Sequence, residues 1–237
     1  MNKHIIEWNS PSLGKKISID VYGSGGTPIL FLDGYPQYLQ QSERIQVLSG
    51  LKFQVENEYN QVFCLNMPTE SDIMNKDTDP SGRLISYNFF EEFIIDEVLQ
   101  RIKKDSSFDF LILTGVRSGA YHAVNLMLKH PEKFNKLIAV CGPVDLRSFF
   151  EDYFSQSLYY NNPIEFLPNL NDDSILSCIR SNDLRLISSS IDEHKDQMVK
   201  LNELLGFKGI DHHFDIWGDD WHMNPETWAE MVKKHVP

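Results

Sequence analysis

Between the apolar run Phe-Leu-Ile-Leu and a helical stretch, residues 114 to 122 read Thr-Gly-Val-Arg-Ser-Gly-Ala-Tyr-His. The frame Gly115-Val116-Arg117-Ser118-Gly119 constrains the chain more than any other segment. Glycines on either side of a tip let a strand turn abruptly into a helix and lift the middle residue onto strained backbone angles. In the version of this turn written Gly-x-Ser-x-Gly, the tip is a serine nucleophile. Here it is Arg117, and a guanidinium stays protonated and offers donors only.

The rest of the chain agrees with such a turn. Short β-rich runs alternate with helical patterns, which predicts a mostly parallel sheet covered by helices on both faces. Strands are expected at Lys16 to Tyr22, Pro28 to Leu32, Gln61 to Leu65, Phe110 to Thr114, Lys136 to Cys141, Leu184 to Ser189 and His212 to Trp217. Four of them are apolar on consecutive positions, as strands buried on both faces are. Tyr87 to Lys103 carries a helical stripe at Phe89, Phe90, Phe93, Ile94, Val98 and Ile102, and residues 119 to 129 and 225 to 234 read as helices, the last opening on Pro225-Glu226. Met67 to Arg83 has a surface-loop composition. The aromatic-rich stretch from Phe149 to Asp173 is irregular and reads equally as core packing or as a lid-like insertion over a pocket. With no internal repeat or linker, residues 1 to 237 are expected to form a single domain.

Composition excludes several classes. A net charge of −12 with 22 Lys and Arg spread along the chain argues against a nucleic-acid partner, which needs a basic footprint. Cys64, Cys141 and Cys178 fall in or beside apolar segments without metal or redox spacing, and read as free thiols. The amino terminus lacks a signal-like apolar stretch and no segment approaches membrane-spanning length, so a cytoplasmic protein without a membrane partner is expected. No cofactor motif and no metal site are read: His212 and His213 are adjacent in a strand, where neighbouring side chains face opposite ways.

Six segments carry a resemblance through nearly the whole length: Trp8-Asn-Ser-Pro-Ser-Leu-Gly14, Thr114 to Ala123, His130-Pro-Glu-Lys-Phe134, Cys141-Gly-Pro-Val-Asp145, Tyr160-Asn-Asn-Pro163 and Asp215-Ile-Trp-Gly-Asp-Asp-Trp-His-Met-Asn-Pro225. In order and spacing the chain resembles the esterase family of α/β-hydrolases that holds the esterase D-like and mycolyltransferase-like proteins. The resemblance implies the α/β-hydrolase fold and acyl-group hydrolysis or transfer by a Ser-His-Asp triad, in the chain order nucleophile, acid, base. It also implies self-association, since proteins of this kind often form homo-oligomers.

Carried over position by position, the nucleophile aligns with Arg117 and the base with His222; matching Asp219-Asp-Trp221 to the family's His-Asp-Trp would put an aspartate there instead. The acid should follow the strand ending at Ser189, at Asp192 or at Glu193. The oxyanion hole should combine the N–H of Ser118 with one from the loop Asp33-Gly34-Tyr35. Asp33, turned inward, could pair with Arg117 and fill the pocket.

Three functions remain open from the residues. The fold can persist without hydrolysis, binding an anionic small molecule or a protein partner, with Arg117 and the helix N-terminus as the anion site. An active hydrolase of small acyl esters could use Ser118, although that shifts the glycine frame by one and brings Val116 to a position that wants a small residue. Alternatively, His222 could activate water against a ligand held by Arg117.

Overall fold

The computed structural model describes residues 1–34, 41–65, 72–106 and 109–237. Eight strands form one sheet: β1 (Lys3–Ser10), β2 (Lys15–Tyr22), β3 (Thr27–Leu32), β4 (Asn60–Leu65), β5 (Ile112–Val116), β6 (Lys136–Val140), β7 (Asp183–Ser189) and β8 (His213–Trp217). Their order is β1-β2-β4-β3-β5-β6-β7-β8, and among the described residues only the pairings β1 with β2 and β2 with β4 are antiparallel. From β4 onward every described pairing is parallel, so the strand ends that carry loops to one rim of the sheet are all carboxyl ends.

Helices cover both faces. In chain order they are α1 (Gln41–Ser49), α2 (Lys52–Glu56), α3 (Pro80–Phe93), α4 (Leu99–Asp105), α5 (Ser118–Lys129), α6 (Arg147–Phe150), α7 (Gln156–Asn161), α8 (Pro163–Phe166), α9 (Asp173–Arg180), α10 (Lys195–Phe207) and α11 (Pro225–His235). The pleat divides each central strand between two cores. Leu30, Leu32, Leu113, Leu137, Leu184 and Leu186 join the side chains of α3, α5 and α10. Ile29, Phe31, Ile112, Val116, Ile138 and Val140 join Val47 and Leu48 of α1 with Trp228, Met231 and Val232 of α11. That alternation explains why these strands read as continuous apolar runs: both faces are covered.

Several expectations change. The first strand, β1, was absent from the sequence reading because it is an edge strand whose outward residues Lys3, His4 and Glu7 are exposed, leaving no apolar run to detect. Its end is anchored instead by polar bonds. Glu97 accepts from Trp8 Nε1 at 2.7 Å, Ser10 Oγ at 2.8 Å and the Ser12 amide at 2.9 Å. The central strand runs from Ile112 to Val116 rather than from Phe110: the Leu111 amide donates to Asn135 Oδ1 outside the ladder, while Val116 still pairs with Val140. The expected helix over Tyr87 to Lys103 starts earlier, at Pro80, because Asp79 caps it by accepting from the Gly82 amide at 3.0 Å, and it is interrupted by a π-helical segment from Ile94 to Val98.

The stretch Met67 to Arg83 is a surface loop only in part: Lys76 to Asp79 are exposed and non-helical. Asp72, Ile73 and Met74 are buried, and Pro80 onward is helical; residues 66–71 lie outside the described residues. Phe149 to Asp173 holds short helices rather than irregular chain. Phe150, Leu158, Phe166 and Leu167 enter the core, whereas Phe154 and Tyr160 face solvent.

Candidate functional site

The site begins where β5 ends. Arg117 has φ 57° and ψ −125°, a left-handed conformation that costs a non-glycine residue about 1–3 kcal/mol and persists only where its surroundings dictate it. Those surroundings are backbone on three sides. The Arg117 amide donates to Val140 O at 3.0 Å, and its carbonyl accepts from the Ala120 amide at 3.0 Å. A Cβ on Gly115 would lie 2.2 Å from Gly119 O, one on Gly119 would lie 2.0 Å from Leu32 O, and one on Gly142 would lie 2.2 Å from Arg117 O. Glycine is therefore required at both flanks of the tip, and Arg117, not Ser118, occupies the apex.

Ser118 opens α5 and is buried. Its hydroxyl oxygen would lie 2.3 Å from a Cβ on Gly34, so the turn after β3 and the start of α5 meet here, as the oxyanion-hole expectation requires of Ser118 and Gly34. Tyr35, the third residue of that expectation, lies outside the described residues.

Asp33 goes elsewhere. Its carboxylate is buried and pairs with Arg44 Nη1 of α1 at 2.8 Å, and Arg44 also reaches Asp20 at 3.5 Å. Arg44 is itself buried, and a buried guanidinium needs anionic partners, so it takes Asp33. The ion pair expected between Asp33 and Arg117 is replaced by one between Arg117 Nη2 and Glu193 Oε1 at 2.5 Å. That hydrogen bond holds the Glu193 carboxyl below the usual range. On its other side the Arg117 guanidinium lies 5.9 Å from the centre of the Trp228 ring.

Asp192 and Glu193 thus divide the loop after β7. Asp192 is buried, accepts from Ser188 Oγ at 2.9 Å and from the His194 amide at 3.1 Å, and faces inward beside Cys141. Burial, followed by the charge of Asp192, pushes the Cys141 thiol well up, so it is an inert, protonated neighbour. Glu193 points out and holds Arg117. His222 is exposed in the loop between β8 and α11, and its ring makes no hydrogen bond or ion pair with any described residue. The three positions aligned with a triad are therefore not joined by hydrogen bonds among the described residues.

The histidine that does reach the elbow is His194. Together with Met74, Arg117, Ser118, Pro143, Phe149 and Glu193 it lines a cavity of about 230 Å³. Burial lowers the His194 pKa, against the opposing pull of Glu193, so its ring is neutral near pH 7. In the sequence its one signal is adjacency to Asp192 and Glu193, and the family pattern calls for a carboxylate, not a histidine, in the loop after β7. The cavity's small size and its walls of Met74, Pro143 and Phe149 suit a short apolar chain, and its cation with the α5 N-terminus suits an anionic head.

Comparison with solved structures places this arrangement in a known fold. The chain is similar to a ferulic acid esterase at TM-score 0.75 and 14% identity, covering 100% of this chain and 96% of that one. It is similar to S-formylglutathione hydrolase (FrmB) of Staphylococcus aureus at TM-score 0.73 and 13% identity, over 98% and 96% of the two chains. MPT51 (FbpC1) of Mycobacterium tuberculosis superposes at TM-score 0.70 and 13% identity, over 99% and 96%. No family model matches the sequence, and no curated protein matches it. The fold is that of the α/β-hydrolases, with esterase-like neighbours. No helix is long and apolar enough to cross a membrane among the described residues.

Proposed function

We propose that this chain is a catalytically degenerate, esterase-like α/β-hydrolase whose elbow binds the carboxylate of a small, mainly apolar molecule. The observation that carries the reading is the ion pair between Arg117 and Glu193: a carboxylate already sits on the guanidinium at the tip, 2.5 Å from Nη2. The Glu193 side chain is 62% exposed and Arg117 only 22%, so the acid can swing out and leave the cation facing the cavity. A ligand carboxylate then takes its place, in bidentate contact with Arg117, with the α5 N-terminus adding favourable partial charge. Its short chain lies against Met74, Pro143 and Phe149. The fold-mates named for ester hydrolysis yield carboxylic acids, which is the same head group.

Hydrolysis is disfavoured by the same geometry. Catalysis by Ser118 requires its hydroxyl within about 3 Å of a base, and His222, the histidine aligned with that base, is exposed and makes no hydrogen bond with any described residue. The test pairs two assays. Turnover of p-nitrophenyl butyrate should not exceed the buffer rate, and butyrate titrated into the protein should bind wild type but not Arg117→Met. Turnover abolished by Ser118→Ala would overturn the reading in favour of a serine esterase. Turnover lost in His222→Ala but kept in Ser118→Ala would overturn it in favour of water activation. Butyrate binding that survives Arg117→Met would remove the anion site.

A further inference from the structure

A second cluster lies away from the elbow. His213 and Asp215 are two apart on β8, so their side chains share one face of the strand. His235 is the last residue of α11, and its ring centre is 5.5 Å from that of His213. One ligand atom from each of His213, Asp215 and His235 lies within 4.8 Å of the others. The sequence reading dismissed His212 with His213 as a metal pair, and the two do diverge: His212 Nε2 is 2.9 Å from Asn202 Oδ1. The partner of His213 comes from α11 instead, which spacing along the chain could not reveal.

We propose that His213, Asp215 and His235 form a zinc site that fastens the edge strand β8 to the carboxyl end of α11. Two imidazoles and one carboxylate match the donor set of three-ligand zinc sites, whose fourth position is taken by water, and imidazole donors disfavour magnesium and calcium. The ligands are preorganised. His235 Nε2 is 3.0 Å from Asp215 Oδ2, and Trp217 Nε1 donates to the same oxygen at 3.0 Å, fixing the carboxylate. The side chains of His235 and Asp215 are only 6% and 17% exposed, while His213 is exposed and gives the ion a way in. The negative end of the α11 dipole adds attraction for a cation. One feature competes: Lys234 Nζ lies 2.7 Å from Asp215 Oδ2, but this lysine is 54% exposed and can withdraw. The cluster begins at the amino end of β8, whereas the elbow is at the carboxyl end of the parallel β5, so the two sites are separate.

The test uses the full chain stripped with EDTA and titrated with ZnCl2 and with CoCl2. Wild type should bind one zinc, show the visible absorption of tetrahedral cobalt, and melt about 5–10 °C higher at a hundredfold excess over Kd. His213→Ala, an exposed position that should not disturb folding, and Asp215→Asn should each weaken binding by more than about tenfold. Lys234→Gln should tighten it severalfold by removing the competing cation. No zinc binding by wild type, or equal binding by wild type, His213→Ala and Asp215→Asn, would overturn the proposal and assign any bound metal to other histidines.

Discussion

Replacing Gly119 by alanine tests whether the elbow is as tightly built as its geometry requires. The new methyl carbon would stand 2.0 Å from Leu32 O, 2.9 Å from Leu32 C and 3.0 Å from Gly34 N, all of them backbone atoms that cannot rotate away. Relief demands that α5 retreat from β3, and overpacking of a rigid interior costs about 1–3 kcal/mol or somewhat more. Gly206 supplies a matched control: it lies in α10 with nothing within 4 Å of an added Cβ, so alanine there should stabilise by about 0.5–1 kcal/mol. The two variants should differ by roughly 3 kcal/mol. Urea denaturation followed by circular dichroism, with a slope of about 2–3 kcal/mol/M, would then place the Gly119→Ala midpoint about 1 M below that of Gly206→Ala. Midpoints that coincide would mean that α5 does not approach β3 this closely. The assignment of Arg117 to the apex would fall with that packing, because the flanking glycines are what define the tip.

Three further outcomes follow from the same contacts. Glu193→Gln removes the internal competitor for Arg117; a pair this exposed contributes about 0.2–1 kcal/mol, so butyrate should bind up to about fivefold more tightly by calorimetry. Arg117→Ser should restore no turnover of p-nitrophenyl butyrate above the buffer rate, because His222 is not held against Asp192; a clear gain would show that the base reaches the tip. Asp72 is buried, and burial raises its pKa from 3.8 to about 6. The stabilising neutral form is fully present below the ordinary value and is lost as pH rises through about 6, so Asp72→Asn should overtake wild type in that window by up to about 3 kcal/mol. Urea midpoints at pH 4 and pH 7.5 check this, and equal pH dependence in both proteins would contradict it.

The parallel centre of the sheet was legible because Ile29 to Leu32, Val62 to Leu65 and Leu137 to Val140 must be apolar on both sides, and the elbow because its glycines admit no side chain. The edge strand β1 was not, since five of its eight residues face water and its anchorage rests on Glu97, 85 or more residues away. At the site, the positions of Arg117, Ser118 and Gly34 were readable from local spacing. The partner of Arg117 was not. It depends on Arg44, a residue of α1 that claims Asp33 and leaves Glu193 to the elbow. The cluster of His213, Asp215 and His235 was hidden for the same reason: it joins a strand to the last turn of a helix that packs beside it only in three dimensions.

The central claim is that the apex of the turn carries a cation where a serine nucleophile would stand, and that His222, aligned with the base, is not hydrogen-bonded to the neighbouring hydroxyl. Intact-mass spectrometry after incubation with an excess of a fluorophosphonate measures this directly, since such reagents modify serines activated as nucleophiles. The account predicts an unchanged mass for wild type. A stoichiometric adduct that maps to Ser118 and disappears in His222→Ala would contradict it.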